Sequence, residues 1–130
     1  MPTITNIHHV AVTVTDVERS AAWYQDLLDM VVVLAGDDDA VRFRVLAHPA
    51  SGVVIGLRQY TSGSGDAFDE LRTGLDHLAF GVTTADELAS WESELTRRSI
   101  PFTPAAETPI GTVVVFRDPD DVQLEFWLPA

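Results

Sequence analysis

His9, His77 and Glu125 are the residues whose types and spacing best suit them to chemistry. Sliding the chain by 68 positions lays His9 on His77, Ala11 on Ala79, Val14 on Val82, Thr15 on Thr83, Trp23 on Trp91 and Leu27 on Leu95. Weaker matches fill the gaps, with Val10 on Leu78, Val12 on Phe80 and Glu18 on Asp86. An internal repeat means one small unit used twice, so the two histidines point toward a shared pseudo-symmetric centre. A histidine pair held that way is a candidate metal site. The chain has no cysteine, which excludes disulfides and thiolate sites, so a metal here takes nitrogen and oxygen ligands.

The elements that must position these groups follow from the patterning. Asn6–Val14 alternates as a half-buried strand, with His8, Val10, Val12 and Val14 on one face and Ile7, His9, Ala11 and Thr13 on the other. Thr15-Asp16-Val17-Glu18 reads as a capping box opening a helix to about Met30, its apolar stripe formed by Trp23, Tyr24, Leu27 and Leu28. Strand-like runs follow at Val31–Leu34, Val41–Leu46 and Val53–Tyr60, separated by turns at Gly36–Asp39 and His48–Gly52. The order β-α-β-β-β then recurs after a Gly/Ser-rich linker. The second copy has a strand at Asp76–Val82, a capping box at Thr84–Glu87, and a helix carrying Leu88, Trp91 and Leu95. Short strands are expected around Ile100–Phe102, Thr112–Phe116 and Val122–Leu128, with Asp118-Pro119-Asp120-Asp121 as a strong turn. Module one spans residues 6–60, the linker 61–73 and module two 74–129, within one domain of residues 1–130.

Face assignment brings the candidate groups together. Leu78, Phe80 and Val82 share one face of their strand, and Val122, Leu124, Phe126 and Leu128 share one face of the last strand. Both faces should pack on helices. His77, Ala79 and Gly81, and with them Gln123, Glu125 and Trp127, fall on the opposite side. His9 does the same in the first module. Its strand neighbours Ala11 and Thr13, like Ala79 and Gly81, are small and leave open volume beside the potential ligands. An acid flanked by Leu124 and Phe126 is costly to bury without a partner, and a cation is a natural one.

Composition narrows the function classes. At 130 residues with 46% apolar content, the chain can build one ordinary core. Its net charge of -12, with no lysine and eight arginines, repels a phosphate backbone and makes nucleic acid a poor partner. No apolar run reaches the roughly 20 residues of a membrane span. The start, Met1-Pro2-Thr3-Ile4-Thr5, shows no secretion signal, so a cytoplasmic location without membrane association is expected.

At His9-Val10-Ala11-Val12, Tyr24-Gln25-Asp26-Leu27-Leu28, Asp76-His77-Leu78-Ala79-Phe80 and Phe116-Arg117-Asp118-Pro119-Asp120 leading to Leu124-Glu125-Phe126, the chain resembles the vicinal oxygen chelate superfamily. That group includes glyoxalase I, bleomycin-resistance and fosfomycin-resistance proteins and extradiol dioxygenases. The resemblance implies an α+β fold in which two βαβββ modules form a U-shaped mixed sheet around a metal, in a homodimer. Modules then pair either within a chain or between chains. It also implies metal positions at His9, Gly56, His77 and Glu125. Gly56 departs from the pattern because glycine offers no side-chain ligand. Two histidines and one carboxylate remain, a set that suits Fe(II) first and also Mn, Zn or Ni.

The named activities each lack a part. Ring-cleaving dioxygenases carry a tyrosine where this chain has Val115, and a histidine upstream where it has Ala106-Glu107-Thr108. Fosfomycin-type members use lysine as well as arginine. The expectation is therefore a small metal-dependent enzyme acting as a Lewis acid on an oxygen-bearing small substrate, with dioxygenase chemistry slightly favoured over lyase or isomerase chemistry. The alternative is a metal-free, drug-binding protein of the bleomycin-resistance type, with Trp127 as a stacking wall. Arg58, which aligns with Trp127, is a candidate for an anionic substrate group, and Gln123 for a group supporting the ligands. Tyr24, His48 and Tyr60 are the candidate general bases, without positional support. Trp23 and Trp91 read as core, and Asp37-Asp38-Asp39 as a solvated turn.

Overall fold

The structure is a computed structural model that describes residues Met1 to Ala130. Its elements are β1 (Val10–Thr13), α1 (Val17–Leu28), β2 (Val31–Asp37), β3 (Val41–Ala47), β4 (Val54–Tyr60), β5 (Leu78–Gly81), α2 (Ala85–Arg97), β6 (Phe102–Thr108), β7 (Gly111–Arg117) and β8 (Gln123–Pro129). The chain forms two compact units, Met1–Asp66 and Ala67–Ala130. Each is a βαβββ module with its own four-stranded sheet, ordered β1-β4-β3-β2 in the first and β5-β8-β7-β6 in the second. In both, the first strand runs parallel to the last and the other pairings are antiparallel. The expected α+β class and module repeat are therefore present, as two separate sheets. β5 and α2 begin 68 residues after β1 and α1, and β8 begins 69 after β4.

Burial follows the alternation read from the sequence. In the first unit Val12, Ile55 and Leu57 are buried against Val17, Ala21, Tyr24 and Leu28 of α1. In the second, Leu124, Phe126 and Phe116 are buried with Leu88 and Leu95 of α2. Phe126 is the centre of that core. Trp91 stacks on it at 4.2 Å between ring centroids and Phe116 at 4.7 Å. Burying such a ring contributes about 1.5–3 kcal/mol, and offset aromatic pairs add about 0.5–1.5 kcal/mol each.

The two helix starts differ. Thr84 caps α2 in a reciprocal capping box with Glu87. In α1 the cap is Asp16, whose side chain accepts from the Arg19 amide. The box expected at Thr15 does not form, because the shift of one residue puts Arg19, which has no acceptor, at the reciprocating position. Glu18 instead pairs with Arg44 and Arg42 of β3.

Three strand expectations need correction. The regular parts of β1 and β5 are shorter than Asn6–Val14 and Asp76–Val82, leaving His9 and His77 immediately before them. The strand expected at Ile100–Phe102 is Phe102–Thr108. It is an exposed sheet edge with an irregular register between Thr103 and Ala106, where Pro104 has no amide to donate. The acidic turn is also more structured than a solvated loop. Asp37 pairs with Arg44, and Asp38 accepts from the Ala40 and Val41 amides.

The unit boundary at Asp66/Ala67 falls inside the linker of residues 61–73. The second half of the linker is tied to module two. The Phe68 amide donates to the Asp120 carbonyl at 2.8 Å, and Glu70 takes a two-pronged contact from Arg117 at 2.7 and 3.0 Å. That guanidinium holds the Glu70 carboxyl down at about 2, against an ordinary 4.5. No helix is long and apolar enough to cross a membrane.

Candidate metal centre

Module two gathers two of the three expected ligands. His77 and Glu125 lie on the sheet face turned away from α2, and His77 Nε2 is 3.5 Å from Glu125 Oε2. That separation is long for a hydrogen bond. Two atoms each bound about 2.1 Å from one ion lie roughly 3.0–3.4 Å apart at octahedral to tetrahedral angles, so the pair is spaced like two ligands of a common cation. The Glu125 side chain is only 12% exposed. Its strand neighbour on β7 is Val115, so no phenol lies opposite it in the sheet.

His77 is oriented from behind. Its Nδ1 is 2.6 Å from Asp76 Oδ1, which assigns the Nδ1 proton to that bond and leaves the Nε2 lone pair free for a metal. Asp76 Oδ1 also accepts from Gln123 Nε2 at 3.1 Å, and Gln123 Oε1 accepts from Arg117 at 3.2 Å. Glu70, Arg117, Gln123, Asp76 and His77 thus form one continuous chain of contacts. Gln123 sits in it as a supporting group, the role considered from sequence. Asp76 and Arg117 were not singled out there. An aspartate directly preceding the ligand histidine is the one local signal that pointed to the former.

Module one holds the other candidate histidine in a related setting. His9 precedes β1, and its Nδ1 is 2.8 Å from Nδ1 of His8, with the two rings edge-on. One ring must donate and the other accept. When His9 donates, its Nε2 is left open just as in His77. Position 8 corresponds to position 76 at the repeat offset, so each candidate ligand has its Nδ1 engaged by the residue before it.

The strand registers also place Gly56. Ala79 pairs with Glu125 across β5 and β8, and Ala11 pairs with Gly56 across β1 and β4. Gly56 is therefore the counterpart of Glu125, and a Cβ there would meet the Ala11 Cβ at 3.1 Å. No group of three or more His, Asp or Glu side chains in the structure is placed to hold a metal ion.

The remaining candidates sort by surroundings. Thr13 pairs with Arg58 and Gly81 with Trp127, which confirms that Arg58 and Trp127 hold equivalent places. A Cβ on Gly81 would meet nothing within 4 Å, so the surface beside Trp127 is open. Tyr24 is fully buried and is not available as a general base. Tyr60 accepts from Arg58 through its hydroxyl at 2.9 Å. His48 closes a turn with Ser51 at 2.7 Å.

Known proteins share this sequence pattern and fold. Residues 6–126 match the Glyoxalase/Bleomycin resistance protein/Dioxygenase superfamily. A glyoxylase/bleomycin resistance protein/dioxygenase domain from Frankia sp. EAN1pec is 37% identical, with a TM-score of 0.91 over 98% of this chain and 100% of that one. The fosfomycin resistance protein FosX from Listeria monocytogenes is 15% identical, with a TM-score of 0.77 over 98% and 96% of the two chains. A mutant FosX complexed with Mn(II) and 1S,2S-dihydroxypropylphosphonic acid has a TM-score of 0.74 at 15% identity over 98% and 93%. No curated protein matches the sequence. Repeat, sheet order, register and sequence match converge, and the chain belongs to the glyoxalase/bleomycin resistance protein/dioxygenase superfamily.

Proposed function

We propose that the protein is a metal-dependent enzyme whose His9, His77 and Glu125 hold one divalent ion, and that it acts on a small oxygen-bearing substrate. The observation that carries this reading is the His77–Glu125 pair, spaced as ligands of one cation and backed by Asp76 at 2.6 Å. Imidazole and carboxylate donors suit Fe(II) best and also accept Mn, Zn or Ni. The Mn(II) found in the FosX complex is compatible with the same donor chemistry. Bound there, the ion would act as a Lewis acid toward substrate oxygens.

The chain's own residues prepare that step. Asp76 fixes the ring plane and tautomer of His77. Gln123 and Arg117 keep Asp76 from turning away. Ala11, Ala79 and Gly81 leave the face beside the ligands unfilled. Three protein ligands leave coordination places for substrate and a further small molecule, which favours oxygenase chemistry slightly over lyase or isomerase chemistry. Val115 beside Glu125, in place of a phenol, separates this reading from extradiol ring cleavage. A homodimer and a cytoplasmic location are part of the same reading, and sedimentation velocity checks the former.

Metal analysis of protein purified without chelator tests the core of the proposal. The expected content is about one ion per chain, lost in His77→Ala and Glu125→Gln. Less than about a tenth of an ion per chain, unchanged by reconstitution, refutes it. The open surface beside Trp127 favours a second reading, metal-free binding of an aromatic drug. Tight drug binding that His77→Ala leaves unchanged selects that reading over the first.

A further inference from the structure

We propose that the open face of the first module's sheet carries a preformed oxyanion site centred on Arg58, and that its ligand is a small organic carboxylate with an apolar body. This names the head group of the substrate in the enzyme reading above. It rests on that reading only for calling the anion a substrate.

The site is layered. On β2, Gly36 pairs with Phe43 of β3, and a Cβ on Gly36 would lie 2.4 Å from Phe43 Cε1. The Phe43 ring therefore sits directly over the Gly36 backbone, and only glycine admits it there. Phe43 pairs in turn with Arg58 of β4. The Arg58 guanidinium carbon lies 5.5 Å from the Phe43 ring centroid and 5.6 Å from that of Tyr60. Arg58 Nε donates to the Tyr60 hydroxyl at 2.9 Å. Two ring contacts and one hydrogen bond hold the plane of the guanidinium, so little rotamer freedom is left to lose on binding a ligand.

The binding edge of that guanidinium is not spent. Arg42, Arg44, Arg72, Arg97, Arg98 and Arg117 each have a carboxylate within 4 Å. Arg58 has none, although the chain has 20 acidic residues against eight basic ones. Asp38 feels its charge only at longer range, and that carboxyl is held mainly by the Val41 and Ala40 amides. The two terminal nitrogens of Arg58 form a planar fork that matches a carboxylate in a two-pronged contact. Val41, Val45 and Val54 alternate onto the same sheet face as Arg58 and are half-buried. An oxyanion held by the fork would lay an apolar body along them.

Benzoate, with benzamide as its neutral counterpart, tests the proposal by NMR titration of the full chain stripped of metal. Benzoate should bind saturably and shift the Arg58 Nε–H resonance, and benzamide should bind at least about tenfold more weakly. Arg58→Gln and Arg58→Lys should each weaken benzoate about tenfold or more, because neither offers the fork. Tyr60→Phe, which removes only the hydroxyl bond of the clamp and keeps both ring contacts, should weaken it by a few-fold. Equal binding of benzamide, or wild-type benzoate affinity in a folded Arg58→Gln or Arg58→Lys protein, overturns the site. Because the titration uses metal-free protein, its failure leaves the metal reading standing. Failure of metal loading in wild-type and Arg58→Gln proteins alike is a separate result that strikes only that reading.

Discussion

Removing the Asp76 carboxylate should loosen the metal without removing a ligand. The contact between Asp76 Oδ1 and His77 Nδ1 is 2.6 Å, the short distance of a charge-assisted bond. Such bonds contribute about 1.5–3 kcal/mol when well shielded. Here the His77 and Asp76 side chains are 43% and 66% exposed, so the low end applies, about 1.5 kcal/mol or roughly tenfold in affinity, which is also the low end for the outer partner of a ligand histidine. Asp76→Ala also leaves the Gln123 amide, which donates to the same oxygen at 3.1 Å, with only the Asp76 backbone carbonyl at 3.4 Å. Asp76→Asn keeps an acceptor and should lose about threefold or less. Competitive chelator titration with Zn(II) and Mn(II) measures both variants against His77→Ala, which loses a ligand outright. If Asp76→Ala binds within about twofold of wild type while His77→Ala abolishes binding, the ring is held by packing alone and the positioning argument fails.

Three further outcomes follow from the same coordinates. Ser20 in α1 is fully buried and its hydroxyl has no hydrogen-bond partner, so Ser20→Ala should stabilise the protein by about 1 kcal/mol in urea unfolding. A loss of similar size would reveal a partner for that hydroxyl. Gly111, at the start of β7, has φ 151°, and a Cβ there would meet the Leu128 carbonyl at 2.3 Å. Gly111→Ala should therefore cost at least about 2 kcal/mol through strain and loss of β7–β8 pairing, read as a fall in melting temperature. Glu70 has its carboxyl lowered from 4.5 to about 2 by Arg117. A depressed carboxyl stabilises the fold above its unfolded value and loses that contribution as the pH falls through the folded one. The stability gap between wild type and Glu70→Gln should thus be full at neutral pH and close between about 4.5 and 2. A gap that stays constant over that range would mean that the ion pair is not formed.

The legible parts of the fold were those written in local patterning. The repeat offset places β5 and α2, and the alternation in Val122–Leu128 places Glu125 opposite the helix-packing face. The Thr84–Glu87 capping box was readable for the same reason, since its partners lie three residues apart. What escaped depended on distance or on weak propensity. Glu70 and Arg117 are 47 residues apart, and nothing local announces that the linker docks through them. β6 is exposed and contains Pro104 and two alanines, so neither hydrophobic alternation nor β-propensity marked its extent. Face assignment put Arg58 on the open side, but its clamp needed the Phe43–Arg58 register, which the sequence does not encode locally.

The two modules have divided what duplication first made equal. At the repeat offsets, Asp76 corresponds to His8, Gln123 to Val54, Glu125 to Gly56 and Trp127 to Arg58. Module two holds the carboxylate and the polar chain that fixes its histidine. Module one has its histidine, with His8 standing where Asp76 stands, and no acid at the place that corresponds to Glu125. In its place the sheet carries a bare Gly56, and two residues on is an arginine gripped by Phe43 and Tyr60. A fourth protein ligand at Gly56 would fill the surface next to that arginine and put a negative charge beside it. The bare Gly56 and the Arg58 cation without a carboxylate partner are thus consistent with one another. On the proposed metal reading, a bare Gly56 would leave a coordination place open, with the Arg58 guanidinium two residues along the same strand.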